Sequence, residues 1–166
     1  MPLYFAYGSN MDRAAMATRC PRSRPIGLAR LERHRLSVMR EGFLTVVRSP
    51  HGAVHGVLWD LAFADVPALD RYEGLATGLY AKAVQPVVAG GGPKRALVYF
   101  GANAGPGVLR AEYLAAIVAA ARAADLPADG IAALEALARS GVSPEPGPAA
   151  AGRAGAVRRP YYSAPR

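Results

Sequence analysis

The chain contains one cysteine, Cys20, one tryptophan, Trp59, three histidines and only 12 acidic residues among 166. A single cysteine excludes an intrachain disulfide, a cysteine-based zinc site and a CxxC redox pair, and it makes an intracellular location the default expectation. Long apolar stretches are missing. The longest, Leu114 to Ala121 between Glu112 and Arg122, is far too short for a membrane span. The opening MPLYFAYGSNMD has no basic segment before its apolar stretch and no small-residue cleavage pattern, so it does not read as a signal peptide. These shortages predict a soluble, cytoplasmic protein with no membrane partner. No G-x-S-x-G, P-loop or G-x-G-x-x-G occurs, and Gly90–Gly92 lacks the Lys-Ser/Thr that a phosphate loop requires. Nucleotide and serine-hydrolase chemistry therefore have no support.

What is present suits one domain: 52% hydrophobic and 19% charged residues on a length that buries roughly two-thirds of its unfolded surface. The 20 basic residues give a formal charge of +8, which raises the question of a nucleic-acid partner. Nine arginines lie between Arg13 and Arg48, but no aromatic-interleaved basic motif accompanies them. The expectation is a scattered, solvated basic surface with no specific nucleic acid. A homodimer is compatible with the sequence but not derivable from it.

Short runs rich in Val, Leu, Tyr and Phe, punctuated by Gly, Pro and Asp, predict strands at Leu3–Tyr7, Leu31–Met39, Phe43–Val47, Val54–Leu61, Tyr80–Val88 and Ala96–Phe100. A hairpin loop is expected at Ala89–Pro93. Helical spacing predicts one helix near 110–124, with Leu114, Ile117, Val118 and Ala121 on a stripe, and another near 128–138 with Ile131, Leu134 and Leu137. Leu126-Pro127 divides them. A short helix is predicted at Asp65–Tyr72, with Asp65 as N-cap, Pro67 in the first turn and Gly74 as the stop. Strands and helices do not alternate strictly, so the expected class is α+β, a small mixed barrel or sheet with flanking helices. Residues 1–140 form the expected catalytic domain, and 141–166 a Pro/Ala/Gly/Arg-rich tail.

Two segments carry candidate chemistry. In Leu3–Met11 an apolar strand runs into Gly8-Ser9-Asn10, where glycine could let backbone N–H groups converge on an anion. In Leu69-Asp-Arg-Tyr-Glu-Gly74, Glu73 falls at the negative end of a helix. That position favours the protonated carboxyl and costs roughly 0.3–1 kcal/mol when exposed, an environment suited to a general base. The bland reading of both is a turn and a solvated helix end. His51 and His55 have helical ligand spacing, but Gly52 and Gly56 place them in a turn and strand, where one metal would not meet both. His34 is expected to be partly exposed, and Trp59 and Tyr113 to belong to the core, Tyr113 with a hydroxyl needing a partner.

Five blocks, Tyr4–Asn10, Val54–Trp59, Leu69–Gly74, Gly78–Tyr80, and Tyr113 upstream of Leu126-Pro127, give the chain an ordered resemblance. Over Leu3 to Leu137 it resembles the gamma-glutamylcyclotransferases and their relatives of the plant avirulence-induced type. The resemblance implies cyclisation of a gamma-glutamyl amide to 5-oxoproline, with release of an amino acid or amine and no cofactor or metal. It implies Glu73 as the acid/base and Tyr4, Phe5, Ala6, Tyr7, Gly8 and Ser9 as the substrate loop. Asn10 is expected to add a polar donor, and Tyr80 and Tyr113 the aromatic remainder of the pocket. Arg71 and Tyr72 have no role in this reading. The first motif differs from that of the glutathione-specific branch, which argues against glutathione as substrate. Two alternatives stand beside this one: a same-fold enzyme on gamma-glutamyl amines or a gamma-glutamylated metabolite, and a noncatalytic binding module with a basic surface.

Overall fold

In a computed structural model that describes residues 1–139 and 142–143, the largest element is a pair of long strands. β2 (Arg24–Val38) runs antiparallel to β3 (Leu44–Asp60). The sequence suggested shorter strands broken at the Pro-Gly punctuation of 49–52. Both strands instead continue through it. Arg33, in the left-handed region at φ 56°, faces the segment Ser49–Gly52, and the ladder resumes on either side at Glu32↔Ala53 and His34↔Arg48. A bulge takes up extra residues without ending the pairing, so local breakers here bend the ribbon and do not divide it.

β1 (Leu3–Ala6) pairs antiparallel with β3, while β4 (Tyr80–Ala89) pairs with β2 and with β5 (Gly92–Gly101). A parallel contact at Tyr4↔Leu97 closes the barrel in the order β1-β3-β2-β4-β5. The class is the α+β barrel with flanking helices that the sequence suggested. The β4–β5 hairpin turns at Gly90-Gly91, inside the expected loop. A short parallel pair, β6 (Leu109–Arg110) with β7 (Val142–Ser143), has no counterpart in the sequence reading. Apart from β7, the expected tail lies outside the described residues.

α1 (Arg13–Arg19) starts at Asp12, whose side chain accepts from the backbone N–H groups of Ala14 and Ala15. α2 (Val66–Glu73) has Pro67 in its first turn and Gly74 at φ 69° as its stop, as expected. Asp65 makes no capping bond, contrary to expectation. Its carboxylate accepts from Arg22 N (2.9 Å) and Ser23 Oγ (2.7 Å), tying the start of α2 to the entry of β2. Non-local donors outcompeted the local ones.

α3 (Ala111–Ala123) buries Tyr113, Leu114, Ile117 and Ala121, and α4 (Ala128–Arg139) buries Leu134, so the helical stripes face the barrel. Val118, Ile131 and Leu137 are only partly buried at the edge of that core. No helix among the described residues is long and apolar enough to cross a membrane.

The segment that joins β5 to α3 lies on the β2–β3 turn. A Cβ on Gly107 would stand 1.7 Å from the Met39 carbonyl oxygen and 2.5 Å from its carbon. Both partners are backbone, so neither can rotate away. Gly107→Ala should therefore cost at least the 1–3 kcal/mol typical of overpacking and lower Tm by roughly 2–4 °C per kcal/mol. Thermal denaturation checks this; a Tm equal to that of the parent would contradict the close approach.

Candidate active site

Glu73 ends α2 and is buried, with 6% of its surface exposed. Gly74 reverses the chain directly after it: its N–H returns to Arg71 O, and Leu79 N donates to Gly74 O. The carboxylate is thus folded inward, against the solvated helix end that its position in the sequence would ordinarily give. A carboxylate taken out of water at the negative end of a helix needs donors. Asn10 supplies one: its Nδ2 donates to Glu73 Oε1 at 2.8 Å and to the Tyr4 hydroxyl at 2.9 Å. Asn10 lies in the one-turn 3-10 segment Ser9–Met11 that follows β1 and is itself buried.

A second layer surrounds this contact. Arg19, the last residue of α1, donates to Asn10 Oδ1, and its guanidinium lies 3.6 Å from the centre of the Tyr72 ring. The Tyr72 hydroxyl and Ser9 Oγ are hydrogen-bonded at 2.8 Å.

The carboxylate opens onto a cavity of about 20 Å³, with room for about one water molecule. Tyr4 and Tyr99 line it from β1 and β5, Tyr7, Gly8, Ser9 and Asn10 from the segment after β1, Leu44 and Tyr80 from the first residues of β3 and β4, and Tyr113 from α3. The phenols are anchored. Tyr7 donates to Tyr99 O (2.6 Å), and Tyr80 donates to Leu44 O (2.6 Å). Leu44 N donates to the Tyr113 hydroxyl (3.3 Å). Tyr99 donates to Asp70 Oδ1 at 2.6 Å, and Lys82 Nζ reaches both oxygens of that carboxylate, at 2.9 and 2.7 Å. Burial, with the charge of Glu73 as the next cause, holds the Tyr4 and Tyr7 hydroxyls well above the usual phenol range. Burial and the bond to Asp70 do the same for Tyr99. At neutral pH these three hydroxyls are therefore phenols, not phenolates.

Of the residues singled out from sequence, Tyr4, Tyr7, Gly8, Ser9, Asn10, Glu73, Tyr80 and Tyr113 meet at this cavity. Phe5 and Ala6 do not. Phe5 is fully buried against Gly56 and the Tyr7 ring, and Ala6 pairs with Val57 in the barrel wall. Gly8 has φ −128° and ψ −137°, outside the left-handed region, and a Cβ there would meet only Leu44 Cδ2 at 3.9 Å.

Leu44, Tyr99, Arg19, Tyr72 and Asp70 were missed. Tyr72 and Asp70 sit in the same block as Glu73, but their roles depend on partners in α1, β4 and β5. Arg19 was one of many arginines.

The remaining candidates separate from the site. His51 and His55 both lie on β3, where His55 Nε2 is 3.2 Å from Asp129 Oδ2 and pulls that carboxyl below its ordinary range. No group of three or more metal-ligating side chains is found among the described residues. His34 is buried, not partly exposed as expected, because the bulge at Arg33 turns it inward, with Nδ1 2.8 Å from Glu32 O. Trp59 is in the core, its Nε1 without a hydrogen-bond partner among the described residues.

Comparison with known proteins places this geometry in context. Residues 4–115 match the family model described as gamma-glutamyl cyclotransferase, AIG2-like. Curated gamma-glutamylcyclotransferases of Bos taurus and Homo sapiens are each 32% identical to the chain over 88 residues, covering 47% of this chain and 47% of theirs. The chain thus spans about half the length of the curated relatives it matches. A solved gamma-glutamyl cyclotransferase structure superposes with a TM-score of 0.76 at 26% identity, over 81% of this chain and 86% of that one. A human protein solved as uncharacterized gives 0.75 at 27% over the same shares. YkqA from Bacillus subtilis gives 0.73 at 23%, over 86% of this chain and 56% of its own, a likeness of fold alone. Matched over more than half its length, the chain belongs to the AIG2-like gamma-glutamyl cyclotransferase family.

Proposed function

We propose that the protein cleaves gamma-glutamyl amides by ring closure, releasing 5-oxoproline and an amino acid or amine, with Glu73 as the proton carrier. The observation that carries this reading is the placement of Glu73: a buried carboxylate, held on one oxygen by Asn10, facing a cavity walled by tyrosines. In the proposed reaction the substrate's alpha-ammonium loses a proton and its nitrogen attacks the gamma-carbonyl carbon. A ring C–N bond forms and the original amide C–N bond breaks. One hydrogen stays on the ring nitrogen, and two protons pass to the departing nitrogen, which leaves as an ammonium. Nothing is oxidised or reduced, and the balance needs no cofactor.

Nucleophile and electrophile belong to one molecule, so the chief task of the site is to fold the glutamyl arm into a ring-closing conformation. Backbone N–H groups of the Ser9–Asn10 loop and the Tyr4 hydroxyl, which accepts from Asn10 and can still donate, would stabilise charge developing on the carbonyl oxygen. A glutamyl arm is larger than one water molecule, so in this reading its binding displaces side chains that line the cavity.

Purified protein incubated with a panel of gamma-glutamyl dipeptides and amines should yield 5-oxoproline detectable by mass spectrometry; none from any member would overturn the reading. Glu73→Gln should lower turnover by roughly 10² to 10⁴ with the fold intact. Retention of parental turnover would remove Glu73 from the chemistry.

Substrate analogues supply a further check. Removing the alpha-amino group should abolish reaction because it deletes the nucleophile. Varying the amine portion should change kcat/KM by only about 10- to 200-fold per methylene-sized change, as expected of an apolar, aromatic wall. Ser9→Ala, on the common side of the substrate, should impair all panel members alike. A change of leaving-group preference on Ser9→Ala would reverse the proposed orientation.

A further inference from the structure

We infer that Arg19 is a positioning residue that sets which way the Asn10 amide faces, and thereby keeps a hydrogen-bond donor on Glu73 throughout turnover; this rests on the reading of Glu73 as proton carrier. A primary amide presents an acceptor on one side and two donors on the other, and rotation by half a turn exchanges them at little steric cost. In the observed orientation both Asn10 donors point inward, to Glu73 Oε1 and the Tyr4 hydroxyl, and Oδ1 points outward to Arg19. A guanidinium carries donors only, so Arg19 can pair with Oδ1 and not with Nδ2. That contact breaks the symmetry of the amide.

The need is sharpest in mid-reaction. An ionised Glu73 accepts only, and would by itself hold Nδ2 inward. Once Glu73 has taken the proton, its own O–H can donate, and a rotated amide offering Oδ1 would bind and retain that proton. Arg19 opposes this rotation at the stage where Glu73 no longer does.

Arg19 is itself braced. Its guanidinium stacks on Tyr72, the residue before Glu73, and the Tyr72 hydroxyl is bonded to Ser9, the residue before Asn10. One cation thus locks the loop and the helix end to each other, and it does so without being one of the residues that line the cavity. The other titratable groups around the carboxylate are the phenols of Tyr4, Tyr7, Tyr72, Tyr80, Tyr99 and Tyr113, with the Asp70–Lys82 pair behind Tyr99.

Three kinds of measurement on the full chain test the inference: steady-state kinetics with their pH profile, a double-variant comparison, and NMR. In Arg19→Met, kcat should fall roughly tenfold, about the worth of one charge-assisted hydrogen bond, with KM little changed. The acid limb of the kcat–pH profile should move to higher pH, because losing a donor to the ionised form disfavours that form. Arg19→Lys, which keeps the donor but not the planar stack, should recover part of both effects and serves if Arg19→Met does not fold. In an Asn10→Ala background, Arg19→Met should cost nothing further.

The third measurement needs no substrate. The Asn10 side-chain amide resonances in a ¹⁵N-correlated NMR spectrum should shift and lose exchange protection in Arg19→Met. A parental acid limb together with parental Asn10 amide resonances, or fully additive losses in the double variant, would overturn the role. A parent protein that forms no 5-oxoproline but shows the expected amide change would instead strike the reaction and leave the positioning contact standing.

Discussion

Glu73 occupies a place that is unfavourable on two counts: burial strips water from its carboxylate, and the end of α2 turns the partial negative charge of its last carbonyls toward it. Leaving such a group without donors costs several times what an ordinary contact contributes. Much of the surrounding architecture meets that demand. The turn at Ser9–Met11 presents the Asn10 amide, α1 delivers Arg19 to hold it, and Tyr72 braces Arg19 from the helix that carries Glu73. The same pairings that offset the electrostatic cost fix the carboxylate's direction.

Closure of the barrel supplies the wall opposite. The single parallel contact between β1 and β5 sets Tyr4 edge-on to Tyr99, with ring centres 5.6 Å apart, and brings the hydroxyl of Tyr7 to the Tyr99 carbonyl. The long β2–β3 ribbon returns Leu44 to the rim, where Tyr80 and Tyr113 hold its carbonyl and amide. Backbone and phenol are paired throughout, so the polar capacity facing the cavity is set by the fold and not by mobile side chains. The Asp70–Lys82 pair extends this outward by fixing the Tyr99 hydroxyl without placing a second charge in the cavity.

Family membership agrees with this arrangement, because residues 4–115 run from Tyr4 through Glu73 to Tyr113 and so span every side chain that meets at the cavity. Among the described residues Arg19 is the one arginine drawn into the site, and its charge is occupied by an amide oxygen and an aromatic face.

The sequence by itself determined what depends on near neighbours. The helical stripes of α3 and α4, the Gly74 stop of α2, the Gly90-Gly91 hairpin and the α+β class follow from periodicity and turn chemistry within a few residues. The Tyr4–Asn10 and Leu69–Gly74 blocks marked most of the cavity through their resemblance to the family, since read locally they are a turn and a helix end. Tertiary structure decided the rest. Arg33 and Ser49–Gly52 continue a strand that Pro and Gly seemed to break, because cross-strand pairing outweighs local propensity once a bulge absorbs the surplus. Asp65 left its helix for Ser23, Phe5 and Ala6 turned away from the loop they adjoin, and His34 went inward. Arg19, Tyr99 and Leu44 joined the site across the fold. Hydrogen bonding and charge burial act over a few ångströms of space whatever the separation along the chain, and Asn10 meets Glu73 across 63 residues.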